Sequence, residues 1–343
     1  RTPAAIAQSR LQLSVEIDKV CFGQFLLFRQ ANQLKHYAHA QGIGLIGDMP
    51  FFVSPDSSDV WTDPQFFLLD EQRQPRFVAG VPPDYFSAEG QRWGNPVFDW
   101  QRLCEGGYDW CIRRLRTLLA HVDTIRLDHF RGFAAAWHIP AGKLSARAGA
   151  WVSGPGADFF AKARQALGGL PFIAEDLGLI TSDVRALRDK FHLPGTKVLQ
   201  FAFDGHPDNP YLPEHYPTDS VAYTATHDND TTRGWFESLQ PNQRELVWNY
   251  LQRKPDENCD ITVELIRLAW SSVAALAIAP LQDVLNLGTD ARMNSPGRVD
   301  GNWRWRRTPD LLIATPFDRL RELTATTHRH EPSGLATTGS PAP

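Results

Sequence analysis

Acidic residues recur in this chain just after short apolar, β-rich runs. Asp128 lies in Arg126-Leu127-Asp128-His129-Phe130-Arg131-Gly132, Glu175 in Ala174-Glu175-Asp176-Leu177-Gly178, and Asp228 in Thr226-His227-Asp228-Asn229-Asp230-Thr231. Asp48, in Gly47-Asp48-Met49-Pro50, is a fourth. Aligned strand ends gather residues distant in sequence, and in a (β/α) barrel the C-terminal strand ends hold the active site. Three or four carboxylates around one mouth suit cleavage of a glycosidic bond. With retention, that reaction needs one carboxylate as nucleophile and one carboxylic acid as proton donor, about 5 to 5.5 Å apart. Asp128 and Glu175 are the expected pair. Arg126, two residues before Asp128 on the same strand face, would hold it ionised. Glu175 ends an apolar strand, where desolvation and neighbouring carboxylates raise the pKa, as a general acid requires. Asp228 would bind substrate hydroxyls and keep Glu175 protonated. Each acid taken singly is better read as a helix cap or an arginine partner; their repetition at successive strand ends argues for a site. Asp48 alone reads as either a turn residue or a site residue.

The elements that must position these residues alternate. Strands are predicted at Ile43 to Gly47, Thr124 to Leu127, Pro171 to Ala174, Lys197 to Phe203, Val221 to Thr224 and Ala275 to Leu281. Helical stretches such as Tyr108 to Ala120, Asp158 to Leu167 and Ile261 to Ser272 separate them, and Leu11 to His39 carries apolar residues at helical spacing ahead of the first strand. Six strands in β-α order, buried on both faces, imply a parallel sheet covered by helices, of the TIM (β/α)8 type. The first two of the eight strands would then precede Arg1. Residues 1–325 form the expected catalytic barrel, and residues 326–343, rich in Thr, Ser, Gly and Pro, a disordered tail.

Residues 61–100 read as an inserted loop subdomain, in which prolines are spaced among Trp61, Phe66, Phe67, Phe77, Tyr85, Phe86, Trp93, Phe98 and Trp100. Loops of this length are usually lids or binding loops, and aromatic rings offer flat apolar faces to sugar C–H faces. A small aromatic core is the alternative for any one ring; eleven tryptophans in 343 residues tilt the reading toward carbohydrate.

Composition sets the outer bounds. With 22% charged residues and a net charge of -4, the chain has no electrostatic footprint for nucleic acid. Its most apolar stretch, Trp270 to Leu281, is too short to span a bilayer. Cys21, Cys104, Cys111 and Cys259 show neither CxxC pairing nor a disulfide-dense pattern, so buried thiols in a reducing compartment are expected. Gly42-Ile43-Gly44-Leu45-Ile46-Gly47 matches a dinucleotide fingerprint formally but overlaps a strand instead of opening a helix. Asp228-Asn229-Asp230 has Arg233 where a calcium loop needs glycine. No metal or other cofactor is called for, and Trp303-Arg304-Trp305-Arg306-Arg307 is read as packing aromatics and pairing acids.

The ordered motifs resemble those of the 4-alpha-glucanotransferases, the amylomaltase or disproportionating-enzyme family. Besides the acidic motifs, Ala79-Gly80-Val81-Pro82-Pro83-Asp84-Tyr85-Phe86, Arg92-Trp93-Gly94-Asn95-Pro96 and Ala291-Arg292-Met293-Asn294-Ser295-Pro296-Gly297 are similar to that family's segments. The resemblance runs from about Leu26 to Arg304. It implies retaining transfer of α-1,4-glucan segments between malto-oligosaccharides or to glucose. Asp128 would be the nucleophile, Glu175 the acid and base, and Arg126 the nucleophile's support. His227 and Asp228 would hold the distorted sugar, Asp48 would have a lesser binding role, Tyr85 and Phe86 would close over the glucan, and Trp93 and Asn294 would line the groove. The bacterial cytoplasm is the expected compartment, a plastid stroma the alternative. Members carry an N-terminal stretch that is not present ahead of Arg1. Two other functions stay open: an α-glucan hydrolase with the same three acids, and a non-catalytic glucan-binding fragment.

Overall fold

The computed structural model describes residues 2–83, 88–253, 260–298 and 300–329. Among them ten strands form two sheets: β1 (Ile46–Met49), β2 (Phe77–Val81), β3 (Gln91–Pro96), β4 (Thr124–Leu127), β5 (Ala135–Pro140), β6 (Ala150–Ser153), β7 (Phe172–Ala174), β8 (Gly195–Val198), β9 (Ser220–Tyr223) and β10 (Leu276–Ile278). The first sheet runs β1-β4-β7-β8-β9-β10 with every pairing parallel. It is a curled sheet supplying six strands of a (β/α)8 barrel, open between β1 and β10. Burial follows position. β9 is buried at all four residues, whereas the edge strands β1 and β10 are half-buried at best.

Alternation along the strands separates two faces. Ile125, Leu127, Phe172 and Ala174 face outward into the largest core cluster, together with Ile112 and Leu115 of the helix Asp109–Leu119 and Phe159 and Phe160 of the helix Gly156–Leu167. Each such fully buried Leu, Ile or Phe contributes roughly 1.5–3 kcal/mol. The inner face carries Ile173, Val198, Val221 and Tyr223, and on it the single cation Arg126 stands in register with Asp48 of β1 and Ile173 of β7. The predicted helices form within two residues of their expected limits. The first strand lies three residues later than predicted, which puts Asp48 inside β1 instead of beyond its end.

The second sheet, β3-β2-β5-β6, is antiparallel, and only half of it comes from the aromatic excursion. β5 and β6 arrive from the connection between β4 and β7, with Gly80 opposite Trp137 and Trp137 opposite Trp151. Ala135-Ala136-Trp137-His138-Ile139-Pro140 has no clean alternation of apolar and polar residues, so these strands gave no sequence signal.

The N-terminal helix is interrupted at Leu13 into Pro3–Gln12 and Ser14–Ala40. Ala38 is its one buried residue, while Val20, Phe25 and Leu27 are exposed. It is tied to the sheet by Lys35, whose Nζ donates to the carbonyls of Leu119 (3.1 Å) and Val122 (2.8 Å). The expectation of buried thiols fails for Cys21 and Cys104, both exposed, because Cys21 lies on this uncovered helix; Cys111 is half-buried against the main core. Cys259 lies outside the described residues. At the other end a helix spans Ala314–Thr326, and the Arg329 guanidinium donates to the carbonyls of Trp270, Ser272 and Ala274. The expected tail from residue 330 onward lies outside the described residues.

The strand end that carries Glu175 is anchored just beyond it. Asp176 is buried; its Oδ2 accepts from Arg188 Nη1 at 2.6 Å and its Oδ1 from the Thr196 amide at 2.7 Å. Gly195 makes room for this pair, since a Cβ there would come within 2.6–3.0 Å of Arg188 and Asp176. Removing one partner of a buried pair leaves the other charge uncompensated, at about 3–5 kcal/mol. Arg188→Ala is therefore expected to destabilise the fold by about that amount in urea unfolding at neutral pH, a far larger effect than Arg102→Ala, whose partner Glu105 lies on the surface at 4.0 Å.

Candidate active site

Leu127 of β4 pairs in register with Ala174 of β7, so the next residues, Asp128 and Glu175, leave adjacent strand ends side by side. Neighbouring strands lie about 4.8 Å apart, close to the spacing a retaining carboxylate pair needs. Backbone bonds prolong the ladder past the strands: Asp128 N–H donates to Met49 O at 3.2 Å and Glu175 N–H to Leu127 O at 3.1 Å. The chain then turns sharply. His129 takes a left-handed conformation (φ 45°), at a cost of about 1–2 kcal/mol. In that turn its amide donates to Glu175 Oε2 at 2.8 Å, and the Leu177 amide donates to Oε1 at 2.9 Å. The Glu175 carboxyl is thus held by two main-chain donors.

Arg126 is the hub of the charges. Its Nη1 lies 2.8 Å and 3.0 Å from the two Asp48 oxygens and 3.1 Å from Asp128 Oδ1. Burial opposes the Arg126 charge, but Glu175, Asp48 and Asp128 outweigh it and raise the pKa. Glu175 is pushed up to about 8, first by burial and then by the charge of Asp128, against the pull of Arg126 and the two amides. Asp128 is also raised, by burial together with Asp48 and Asp228, so Arg126 limits the rise without reversing it. Arg126 pulls the Asp128 pKa down, as the sequence suggests, but burial is the larger effect. The sequence reading had Asp228 keeping Glu175 protonated, whereas the Asp228 charge acts on Asp128, and Asp128 in turn acts on Glu175.

Asp228 itself is lowered: burial raises it, but His227 and Asn294 overcome that. His227 Nε2 lies 3.3 Å from Asp228 Oδ2 and 3.7 Å from Asp48 Oδ2, and Asn294 Nδ2 donates to Asp228 Oδ1 at 2.5 Å. The Asn294 amide also donates to the His227 carbonyl at 3.1 Å. His227 is raised: burial lowers its pKa, and Asp228 more than restores it. Asp48, bound by Arg126 and close to His227, thus joins the charge network from within β1. Trp93 is 37% exposed, with its ring edge-on to His129 at 4.9 Å. Tyr85 and Phe86 lie outside the described residues.

A cleft of about 910 Å³ is lined by Asp128, Glu175, Asp228, Trp93 and Asn294 among others. A smaller cavity of about 240 Å³ adjoins it between the ends of β9 and β10. Sequence reading quoted the Arg292 motif without assigning the residue a task. Its Nη2 donates to the Asp228 carbonyl at 2.8 Å and its Nε to the Asn294 carbonyl at 2.7 Å, so it braces both. The arginine-rich cluster packs as expected through Trp303, whose ring lies 5.1 Å from that of His227, but Arg306 donates to the carbonyls of Trp303 and Trp305 and not to acids. Among the described residues no three His, Cys, Asp or Glu side chains are arranged to hold a metal ion.

Known proteins resemble this chain in sequence and in fold. Residues 1–311 match the family model described as 4-alpha-glucanotransferase. A 4-alpha-glucanotransferase of Thermus thermophilus is 48% identical over 337 residues, covering 96% of this chain and 67% of that protein. One from a Synechocystis strain is 50% identical over 315 residues, covering 91% of this chain and 62% of that protein. The solved structure of an amylomaltase from Streptococcus agalactiae in complex with acarbose superposes with a TM-score of 0.91 at 39% identity, over 96% of this chain and 66% of that one. The chain therefore spans about two thirds of the length of these relatives. With the matched segment running through every acidic strand end and the fold coinciding with a solved amylomaltase, the chain belongs to the 4-alpha-glucanotransferase family.

Proposed function

We propose that this protein transfers α-1,4-glucan segments between malto-oligosaccharides with retention, by double displacement. The observation that carries the reading is the Asp128–Glu175 pair at adjacent, registered strand ends, with Glu175 pushed up to about 8. At neutral pH the one proton the pair retains then resides on Glu175. Asp128 attacks the anomeric carbon while Glu175 Oε protonates the departing glycosidic oxygen. Glu175 next takes a proton from the 4-hydroxyl of an acceptor glucan, which attacks the glycosyl-enzyme and frees Asp128. His227 and Asp228 bind hydroxyls of the sugar at the cleavage point; Arg126 and Asp48 steady the nucleophile. Trp93, on the cleft wall, helps to keep water from the intermediate and so favours transfer over hydrolysis, and Tyr85 and Phe86 are the further glucan contacts proposed from the sequence. Malto-oligosaccharides and glucose are the donor and acceptor partners, no cofactor enters the scheme, and the bacterial cytoplasm is the proposed compartment. No helix among the described residues is long and apolar enough to cross a membrane.

Incubating the natural full-length protein with maltotriose tests the reading. Transfer yields glucose and a ladder of longer products at constant total reducing ends; a steady rise in reducing ends would instead make it a hydrolase, and unchanged maltotriose bound to folded protein a glucan-binding protein. Asp128→Asn is expected to leave no glycosyl-enzyme detectable by mass spectrometry after acid quench. Glu175→Gln should slow transfer from maltotriose by about 10²–10⁴-fold, the usual worth of a positioned acid and base.

The pH dependence has a definite sign. Glu175 must carry its proton in the first step, so kcat/KM should fall as pH rises through about 8. On the acid side it should fall as Asp128 becomes protonated, at a pH above the ordinary aspartate range. With a glycosyl fluoride donor, whose leaving group needs little protonation, the alkaline limb of the glycosylation step should flatten. A limb that persists unchanged would mean that another group titrates.

A further inference from the structure

Outside the mouth, one acidic side chain has no place in the chemistry just described. Asp283 lies in the short helix Leu281–Val284 after β10 and is fully buried. Burial pushes its pKa up, the hydroxyls of Thr224 and Thr232 and the Thr232 amide pull it back, and Asp230 raises it further. No ion pair to it occurs among the described residues. Its oxygens accept from three donors: Oδ2 from Thr224 Oγ1 at 2.6 Å and from Thr232 Oγ1 at 2.7 Å, and Oδ1 from the Thr232 amide at 2.7 Å. Burying a carboxyl without a cation is costly; a core that needed only filling would do better with an apolar side chain.

The location of the donors gives the carboxylate its task. Thr224 follows the last residue of β9, and Thr232 opens the helix Thr232–Ser238. Between them runs the segment 225–231, which carries His227 and Asp228. One side chain therefore fastens both ends of the segment that presents these two residues. It does so from the crossover that, a few residues later, delivers Arg292 and Asn294 to Asp228. Among the described residues β10 pairs with β9. Thr224 N–H to Ile278 O, at 3.2 Å, is the main-chain link at that corner. The segment has other ties as well: Asn229 Oδ1 accepts from the Thr226 amide and hydroxyl, Gln200 Nε2 donates to the Asp230 carbonyl at 2.9 Å, and Thr289 Oγ1 donates to Asp230 Oδ2 at 2.9 Å, but none of these holds Thr224 or Thr232.

We propose that Asp283 is a positioning residue for glucan transfer: by clasping Thr224 and Thr232 it sets where Asp228 stands relative to Asn294, and through Asp228 the sugar at the cleavage point. The inference rests on the reading of Asp228 as a substrate-binding residue. A misplacement of about 1 Å in such a group costs on the order of 10²-fold in rate. Asparagine can keep the contacts, because its Oδ1 still accepts the Thr232 amide and its Nδ2 can donate to hydroxyls that turn to accept; alanine cannot.

The test is a double-mutant cycle in the natural full-length protein, with maltotriose as substrate and thermal unfolding followed alongside. Asp283→Ala is expected to lower kcat/KM by about 10²-fold, with Asp283→Asn regaining most of it. In an Asp228→Ala background the same Asp283→Ala change should cost less than about 3-fold, since the group being positioned is gone. If it costs as much there as in the unmodified protein, Asp283 supports the fold in general and the proposal is overturned. If Asp283→Ala does not fold, Thr224→Val combined with Thr232→Val carries the same cycle, because valine keeps the shape and removes both hydroxyl donors. A near-normal Asp228→Ala enzyme would overturn both this inference and the role of Asp228, whereas full additivity with an impaired Asp228→Ala overturns the inference alone.

Discussion

One buried guanidinium makes the rest of the mouth possible. Arg126 sits on the inner face of β4 with Asp48, Asp128 and Glu175 around it, three acids that would repel one another at the partly desolvated floor of the cleft. A single positive charge cannot neutralise three negative ones, so the cluster has to keep a proton. Which acid keeps it is decided by placement. Asp48 and Asp128 contact the guanidinium directly, whereas Glu175 meets it only through space and is the more deeply desolvated. The imbalance of charge thereby becomes a division of labour between an ionised carboxylate and a protonated one. The strain of His129 belongs to the same economy, because its left-handed turn supplies the amide that fixes where the Glu175 oxygen points.

The second half of the site is built on the His227–Asp228 contact and the hydrogen bonds around it. Asp228 is lowered by His227 and Asn294, His227 is raised by Asp228, and Arg292 holds the main chain of both Asp228 and Asn294. On the function proposed above, this group stays charged and still, as binding requires, while the Asp128–Glu175 pair exchanges a proton. Both line one cleft, the pair at the strand ends themselves and Asp228 and Asn294 on the loops beyond them.

Much of this was legible in the residues. Apolar β-rich runs followed by acids marked the strand ends at Asp128, Glu175 and Asp228, since a buried parallel strand has little room for polar residues until it emerges. Helices with strong one-sided periodicity, such as Asp109–Leu119, were equally plain. The small antiparallel sheet was not, because Ala135–Pro140 and Ala150–Ser153 are short, mixed in polarity and separated in sequence from the strands they join. Asp48 read equally as a turn residue or a site residue, whereas β1 runs through it and ends on the residue before Pro50. For Asp128, sequence shows the neighbouring arginine but not the burial that raises its pKa against that pull.

The mixed parentage of the antiparallel sheet bears on how the molecule folds. Pairing Phe77–Val81 with Ala135–Pro140 closes a loop that contains β4 and the helix Asp109–Leu119. Such a non-local contact gains its reward only after the entropy of the enclosed chain has been given up. The antiparallel sheet is therefore expected to assemble late, after β4 has docked, so the cleft wall that Trp93 supplies is completed only on molecules that already hold Asp128 in place.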